Sequence, residues 1–142
     1  MPVRDDSSPP RPAEVTVSLA PESLSVAVAL PREGVAVLTV NGPLDLDTAP
    51  VFHRHLADQL RNGRRHVLLD MAGVPFMDSS GLNAILRVHQ EARGLPGSVH
   101  VIAPAPAVRR VLDLTGVSLT LPVSDSVDDA LALVSRAEEE TS

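Results

Sequence analysis

Three short and mainly apolar segments constrain most strongly how this chain of 142 residues can fold. They cover residues 35–40, 66–70 and 98–102 and are rich in valine, leucine and isoleucine. Each is too short for a typical helix and has the composition of a strand that is buried on both faces of a sheet. Longer segments with apolar residues at helical spacing lie between them. Strands that alternate with helices predict an α/β fold, in which a mixed and mostly parallel sheet of about four or five strands packs with about four helices.

Further elements are predicted on both sides of these strands. Residues 24–30 alternate in polarity, and a turn at residues 31–34 makes this strand antiparallel to the next one. The first helix begins near Asp47 or Thr48 and the second at Asp78, since these residue types are strong N-caps. The pattern is completed by a shorter helix at residues 104–114, an edge strand at residues 118–121 and a last helix from about Ser124 or Ser126.

The length of the chain fits one compact domain and is too short for two. Residues 1–22 contain five prolines, mixed charges and few apolar residues. Such a segment cannot bury enough apolar surface to offset the entropy lost on ordering. We therefore expect a disordered tail at residues 1–22, a folded domain at residues 23–137 and a disordered end at residues 138–142.

Composition and charge exclude several classes of protein. The formal net charge is −6, from 12 basic and 18 acidic residues, and Phe52 and Phe76 are the only aromatic residues. A chain with neither a basic excess nor a set of aromatic platforms is not expected to bind nucleic acid directly. The absence of cysteine excludes disulfides and thiolate metal sites. No apolar run reaches the roughly 18 residues needed to cross a bilayer and no signal peptide is visible, so we expect a soluble, cytoplasmic protein with no membrane partner.

The segment with the most specific chemistry is residues 78–82, Asp-Ser-Ser-Gly-Leu. If Asp78 caps the second helix, Ser79 is the first helical residue and its hydroxyl lies at the positive end of the helix dipole. An exposed serine there is accessible to a kinase, and its phosphate would find N–H donors in the first turn. Gly81 would allow another protein to approach closely. On residue types alone, however, an ordinary helix start is the simpler explanation of this segment.

Four segments together resemble the STAS family, in particular the bacterial anti-sigma factor antagonists, over about residues 24–137. They occur in the order and at the separations that are typical of that family. The four segments are residues 40–45 (Val-Asn-Gly-Pro-Leu-Asp) followed by Thr48 and Ala49, residues 66–70 (His-Val-Leu-Leu-Asp), residues 74–82 (Val-Pro-Phe-Met-Asp-Ser-Ser-Gly-Leu) and residues 107–116 (Ala-Val-Arg-Arg-Val-Leu-Asp-Leu-Thr-Gly).

The resemblance implies a STAS fold and a non-enzymatic protein that switches partners. Unphosphorylated protein would bind an anti-sigma factor, itself a serine kinase of the histidine-kinase-like ATPase fold, and so release a sigma factor. That kinase would phosphorylate Ser79 with its own ATP and Mg²⁺, and a separate serine phosphatase would reverse the modification. This chain itself would need no cofactor and no metal. The expected partner-binding residues are Asp45, Asp78, Ser80, Gly81, Leu82 and Asn83.

Two residues depart from the family pattern, and a different role within the family stays open. Pro43 stands where an acidic residue is usual and Asn83 where a small residue is more common, which would affect the choice of partner. The alternative role is a STAS scaffold that is not phosphorylated, or the soluble subunit of a sensory or lipid-transport assembly. Fold alone does not separate these roles.

Catalysis is not expected from this sequence. Ser79 lacks the Gly-x-Ser-x-Gly turn of serine hydrolases, and no histidine adjoins it. His53 and His55 point to different faces if they lie on a helix, so they fit surface or packing roles better than metal binding. No glycine-rich phosphate loop indicates a nucleotide site.

Overall fold

The structure, a computed structural model, describes residues 15–20, 24–95 and 97–141. Within these residues, six strands form a single sheet with four α-helices and one short 3-10 helix. The elements are, in chain order, β1 (Val15–Ala20), β2 (Leu24–Arg32), β3 (Val35–Asn41), α1 (Ala49–Arg61), β4 (His66–Gly73), α2 (Ser79–Arg93), β5 (Ser98–Ile102), α3 (Pro106–Leu114), the 3-10 helix (Val117–Leu119), β6 (Val123–Ser124) and α4 (Val127–Thr141).

The strands lie in the sheet in the same order as in the chain. The pairs β1–β2 and β2–β3 are antiparallel, whereas β3–β4, β4–β5 and β5–β6 are parallel. Parallel neighbours require crossover connections, and α1, α2 and α3 provide them in turn. The predicted α/β fold with a mixed and mostly parallel sheet is therefore confirmed.

Helices cover both faces of the central strands, which explains why those strands are apolar nearly throughout. In β3, Leu38 and Val40 belong to the large core beneath α1, α2 and α3. Val35 and Val37 point to the other face, where they pack in a smaller cluster with Val134 of α4. Successive strand residues face opposite sides of a sheet, so both sets must be apolar once both faces are covered.

The ends of the domain differ from the prediction. Residues 15–20, expected in the disordered tail, form β1, and Val17 lies opposite Val26 of β2. Consecutive β-branched residues favour a strand, and β2 offers them an open edge to pair with. The rest of the predicted tail, at residues 1–14 and 21–22, lies outside the described residues.

The C-terminal end is helical rather than disordered as far as the structure describes it. Helix α4 continues to Thr141, beyond the predicted boundary at residue 137. The Arg32 guanidinium donates hydrogen bonds to Ser135 Oγ at 2.9 Å and to Glu138 Oε1 at 3.2 Å, which tie this end of the helix to β2. Residue 142 lies outside the described residues.

The edge strand was predicted at the wrong position, residues 118–121. These residues follow α3 as a 3-10 helix at Val117–Leu119, and the edge strand is β6 at Val123–Ser124. Gly116 adopts a left-handed conformation with φ of 80°, which ends α3 and starts the turn. Val117 and Leu121, four positions apart, face the core, whereas Leu119 between them is exposed. In the sequence, a run this short does not distinguish this helical spacing from a strand.

A close backbone contact at the start of β5 provides a test of this fold. A side chain on Gly97 would overlap the carbonyl oxygen of Arg65, which accepts a hydrogen bond from Ser98 N at 2.9 Å. We expect Gly97→Ala to lower the free energy of unfolding by about 1–3 kcal/mol, since the backbone must move to make room. Chemical denaturation measures the change.

The matched control is Gly94→Ala, three positions before Gly97 in the same connection between α2 and β5. Gly94 has φ of −73°, and its added Cβ would meet only Glu91 O at an ordinary 3.5 Å. We expect this variant to remain within about 0.5 kcal/mol of the parent. Equal stability of both variants would show that the two backbone segments are not in contact.

Candidate functional site

The start of α2 is built on the side chain of Asp78. Asp78 is the N-cap, and its carboxylate accepts hydrogen bonds from Ser80 N at 2.8 Å and Gly81 N at 3.4 Å. Ser79 follows as the first helical residue and is exposed, whereas Ser80 is half-buried. The prediction that Asp78 caps this helix is confirmed. The cap occupies two of the N–H groups that a phosphate was expected to bind, so a phosphate on Ser79 would have to compete with Asp78 for them.

Two loops meet at this point, namely the one that follows β3 and the one that follows β4. Gly42 N donates to Gly73 O, and Leu44 N donates to Phe76 O, each at 3.0 Å. In return, Leu44 O accepts a hydrogen bond from Asp78 N at 3.0 Å. These bonds continue the pairing of β3 with β4 beyond the ends of both strands and hold the α2 N-terminus against the neighbouring loop.

Asp45 directly follows Leu44, whose carbonyl oxygen accepts the hydrogen bond from Asp78 N at the start of α2. The Asp45 carboxylate accepts hydrogen bonds from Asp47 N at 3.0 Å and Thr48 N at 3.1 Å. Thr48 is the N-cap residue of α1, but its buried hydroxyl donates instead to Pro43 O at 2.9 Å. Pro43 thus supports the loop through its backbone carbonyl group, which a residue of any type at this position would also provide. Asp45 shapes the loop with the same carboxylate that was expected to meet a partner.

Gly81 and Leu82 have a different role from the predicted one, because they face the interior. A side chain on Gly81 would come within 2.8 Å of Leu44 Cβ and 2.9 Å of Met77 Cγ. Leu82 is only 7% exposed and belongs to the large core. The turn of the helix directs positions 81 and 82 inward while it leaves Ser79 and Asn83 outward. Gly81 therefore allows α2 to approach its own neighbouring loop, rather than allowing a partner to approach.

A groove of about 410 Å³ lies between α1 and α2, next to Ser79. Its rim carries Leu46, which is 74% exposed, and the exposed Asn83. Phe76, 49% exposed, lies in the loop three residues before Ser79. The groove is lined by Leu46, Ala49, Pro50, His53, Ser80, Asn83, Ala84 and Arg87. The structure thus brings Ser80 and Asn83 to one groove with the exposed Leu46, and the exposed Ser79 directly precedes Ser80 in the chain.

Leu46 and Phe76 were not predicted as site residues, although one of them has a readable signal in the sequence. Leu46 stands between Asp45 and Asp47 in a loop, where a large apolar residue has no evident core role. Phe76 precedes a helix, and its position relative to other apolar residues in the sequence does not indicate whether its side chain is exposed or buried. Only the paths of the two loops show that both side chains remain exposed beside Ser79.

The described residues can bind a metal ion only where suitable side chains are grouped together. No group of three or more histidine, cysteine, aspartate or glutamate side chains among them is placed to hold a metal ion. His55 is buried, and burial lowers its pKa below the ordinary value, whereas His53 is half-buried at the groove. No helix within residues 15–20, 24–95 and 97–141 combines the length and the apolar character that crossing a membrane requires. The groove presents the exposed side chains of Leu46, Asn83 and Arg87, and the exposed Ser79 directly precedes its lining residue Ser80.

The Asp78 cap can be tested through stability. We expect Asp78→Ala to lower the free energy of unfolding by about 1 kcal/mol, because two backbone N–H groups lose their acceptor. Asp78→Asn should retain most of the stability, since asparagine caps helices comparably well. Asp47→Ala is the control, because the exposed Asp47 side chain accepts none of the hydrogen bonds that build these loops. A loss as large in Asp47→Ala as in Asp78→Ala would contradict a specific cap.

Comparison with known proteins agrees with this geometry. Residues 27–130 match the model of the STAS domain. The anti-sigma-F factor antagonist RsfB of Mycobacterium tuberculosis is 32% identical over 112 residues, which are 79% of this chain and 90% of that protein. The crystal structure of an anti-sigma factor antagonist from Mycobacterium paratuberculosis is similar with a TM-score of 0.73 and 31% identity, covering 81% of this chain and 97% of that one.

A more distant structure shares the fold alone. The Bacillus cell fate determinant SpoIIAA, in its phosphorylated form, has a TM-score of 0.63 and 18% identity, covering 77% of this chain and 98% of that one. The family model covers most of the described residues, from within β2 to within α4. The chain therefore belongs to the STAS domain family.

Proposed function

We propose that this protein is an anti-sigma factor antagonist whose binding is switched off by phosphorylation of Ser79. In the unphosphorylated state it binds an anti-sigma factor and thereby frees a sigma factor. The anti-sigma factor is also a serine kinase of the histidine-kinase-like ATPase fold, and a serine phosphatase restores the binding state. The relatives named as anti-sigma factor antagonists support the general role.

The observation that carries this proposal is the position of Ser79. It is the first residue of α2, is exposed, and directly precedes Ser80, which lines the α1–α2 groove together with the exposed Leu46. The exposed Phe76 lies three residues before it in the chain. A kinase can reach a hydroxyl in this position without any unfolding of the domain. A partner bound over the groove would cover the same hydroxyl, so modification and binding exclude each other.

The surface around Ser79 has the composition of a protein-binding site. Leu46 and Phe76 offer apolar anchors, while Asn83, Ser80 and Arg87 offer polar contacts. Interfaces commonly combine a few large apolar anchors with a polar rim. Nothing at this surface points to a reaction carried out by the chain itself, so ATP and Mg²⁺ would be supplied by the kinase.

Phosphorylation would act on the complex more than on the fold. It adds about −1.5 to −2 charges directly beside the Asp78 carboxylate, and the nearest N–H donors already bind that carboxylate. The added charge therefore stays largely uncompensated and would be buried if a partner covered it. An unpaired charge in an interface costs about 2–5 kcal/mol, which is enough to dissociate a micromolar complex. The core beneath α2, which includes Leu82 and Ile85, is untouched by the modification.

Phosphorylation by a purified kinase tests the modified residue. We expect the full-length protein to take up one phosphate from ATP and Mg²⁺ when it is incubated with a histidine-kinase-like anti-sigma factor encoded in its own genome. Ser79→Ala should abolish the uptake, whereas Ser80→Ala, the adjacent half-buried serine, should retain it. Intact-mass and phosphopeptide measurements identify the site.

Phosphate on Ser80, or no phosphate with any such kinase of that genome, would contradict the switch. The alternative role, a STAS scaffold or a subunit of a sensory or lipid-transport assembly, would then account better for the chain. Both serine variants should fold normally, since neither side chain lies in the core.

Binding affinity tests the electrostatic part of the proposal. We expect Ser79→Asp to weaken binding to the anti-sigma factor at least tenfold, because it places a second carboxylate next to Asp78. Ser79→Ala should bind as tightly as the parent, and titration calorimetry measures both. Equal affinity of the two variants would show that charge at this position does not control the complex.

The apolar anchors provide a test of the surface itself. We expect Leu46→Ala to weaken binding about tenfold without changing stability by more than about 0.5 kcal/mol, because the side chain is 74% exposed. Leu119→Ala is a matched control, since Leu119 is 91% exposed on the 3-10 helix and remote from the groove in the chain. If Leu119→Ala reduced affinity and Leu46→Ala did not, the partner would bind elsewhere.

A further inference from the structure

A second cavity lies at the opposite end of the sheet from Ser79. It has a volume of about 530 Å³, within the usual range for sites that hold small molecules. His66 and Ser98 begin the parallel strands β4 and β5, so the cavity lies at their amino ends, whereas Ser79 follows the carboxyl end of β4. Its lining residues are Arg65, His66, Arg93, Leu95, Gly97, Ser98, His100, Pro122, Leu133, Ala137 and Glu138.

Polar side chains of β4 and β5 at this cavity form a connected chain of hydrogen bonds. His66 Nδ1 lies 2.7 Å from Ser98 Oγ, and Ser98 Oγ lies 2.9 Å from His100 Nε2. His66 Nε2 lies 3.3 Å from Glu138 Oε2 of α4. His66 is 6% exposed and His100 4% exposed, so both rings are nearly enclosed by protein. Elsewhere along β4 and β5 the buried positions are apolar, so these polar residues distinguish the end of the sheet that forms the cavity.

The Glu138 carboxylate determines which ring nitrogen of each histidine carries the proton in this series of hydrogen bonds. Burial lowers the pKa of His66, and it lowers the pKa of His100 to about 4 with a further contribution from His66, so both rings are neutral at neutral pH. A carboxylate only accepts hydrogen bonds, so His66 donates from Nε2 and accepts at Nδ1 from the Ser98 hydroxyl. Ser98 Oγ then accepts from His100 Nε2. His100 Nδ1 is left as a buried acceptor without a hydrogen-bond partner among the described residues.

The positive charge of the cavity comes from its mouth. Arg65 and Arg93 line it with exposed side chains, and neither forms an ion pair within the part of the chain that the structure describes. Glu138, the acidic residue of the lining, is held by Arg32 and His66. Two guanidinium groups beside one carboxylate that is already hydrogen-bonded favour the binding of an anion in this cavity. A ligand with one negative charge is favoured over one with two, because Glu138 would repel the second charge.

The walls between these groups are apolar. Leu95, Pro122 and Leu133 line the cavity, and 51% of Leu95 is exposed and so accessible to a ligand. An apolar body placed here would cover Leu95 and the side of Leu133. Concave sites with apolar walls and a few convergent polar groups are typical of small-molecule binding.

We propose that this cavity binds a small carboxylic acid with an apolar body. The carboxylate accepts hydrogen bonds from the Arg65 and Arg93 guanidinium groups, and the body packs on Leu95, Pro122 and Leu133 above the His66–Ser98–His100 chain. This site is separate from the Ser79 surface, so it does not depend on the function proposed there. Its ligand makes the protein a receptor for a metabolite as well as for a protein partner.

Titration of the full-length protein with octanoate tests this proposal. We expect saturable binding by calorimetry, with chemical-shift changes in NMR spectra confined to residues that line the cavity. Octanol, which has the same chain without the charge, should bind at least tenfold more weakly. Arg65→Gln and Arg93→Gln should each weaken octanoate binding about tenfold, and both side chains are exposed, so the fold is retained.

Arg87→Gln is the matched control, because Arg87 is also exposed on α2 but lines the α1–α2 groove instead. Its affinity for octanoate should equal that of the parent.

Octanol binding as tightly as octanoate, or unchanged binding in both the Arg65→Gln and the Arg93→Gln variant, would overturn the proposal. Failure to reach saturation at roughly 10 mM octanoate would also overturn the proposal, since even weak specific ligands bind below that concentration. Competition by inorganic phosphate at equal concentration would show a general oxyanion site and overturn the assignment to a carboxylic acid.

Discussion

Leu44 makes the backbone hydrogen bonds on which the surface around Ser79 depends. It donates to Phe76 O and accepts from Asp78 N, and its side chain is fully buried. These bonds extend the parallel pairing of β3 and β4 into two loops that would otherwise be independent. Gly81 then brings α2 against Leu44, because any side chain at that position would collide with it. The Ser79 hydroxyl, the Asp78 cap and the groove are therefore positioned by one shared backbone ladder rather than by separate loops.

The two ends of the parallel strands carry two different kinds of site. At the carboxyl ends, helix α2 begins with the exposed Ser79 hydroxyl and with a side-chain cap, Asp78, that already binds two of the free backbone N–H groups. At the amino ends, polar residues of β4 and β5 meet the last helix at a cavity. Helix α2 reaches from one site to the other, since Ser79 is its first residue and Arg93 its last. The proposed protein-binding surface and the proposed small-molecule site therefore use different residues of one fold.

Local features account for what could be predicted from the sequence. Buried strands that alternate with amphipathic helices specify an α/β sheet, because each pattern reflects which faces are covered. Asp78 was predicted correctly as a cap, since capping involves only the next three residues. The termini were predicted less well. Strand β1 exists by pairing with β2, and the end of α4 is tied to Arg32, a contact between residues more than one hundred positions apart. Local composition contains no information about either partner.

The sequence by itself determined the class of fold, the start of α2 and the identity of Ser79 as its first residue, because these follow from short-range periodicity and capping. Tertiary structure alone decided that Gly81 and Leu82 face inward while Leu46 and Phe76 remain exposed, since the paths of two loops set those directions. It also decided that His66, Ser98, His100 and Glu138 meet in one hydrogen-bonded chain. These side chains come from two parallel strands and a distant helix, so their meeting depends on strand register and helix packing, which no local pattern in the sequence specifies.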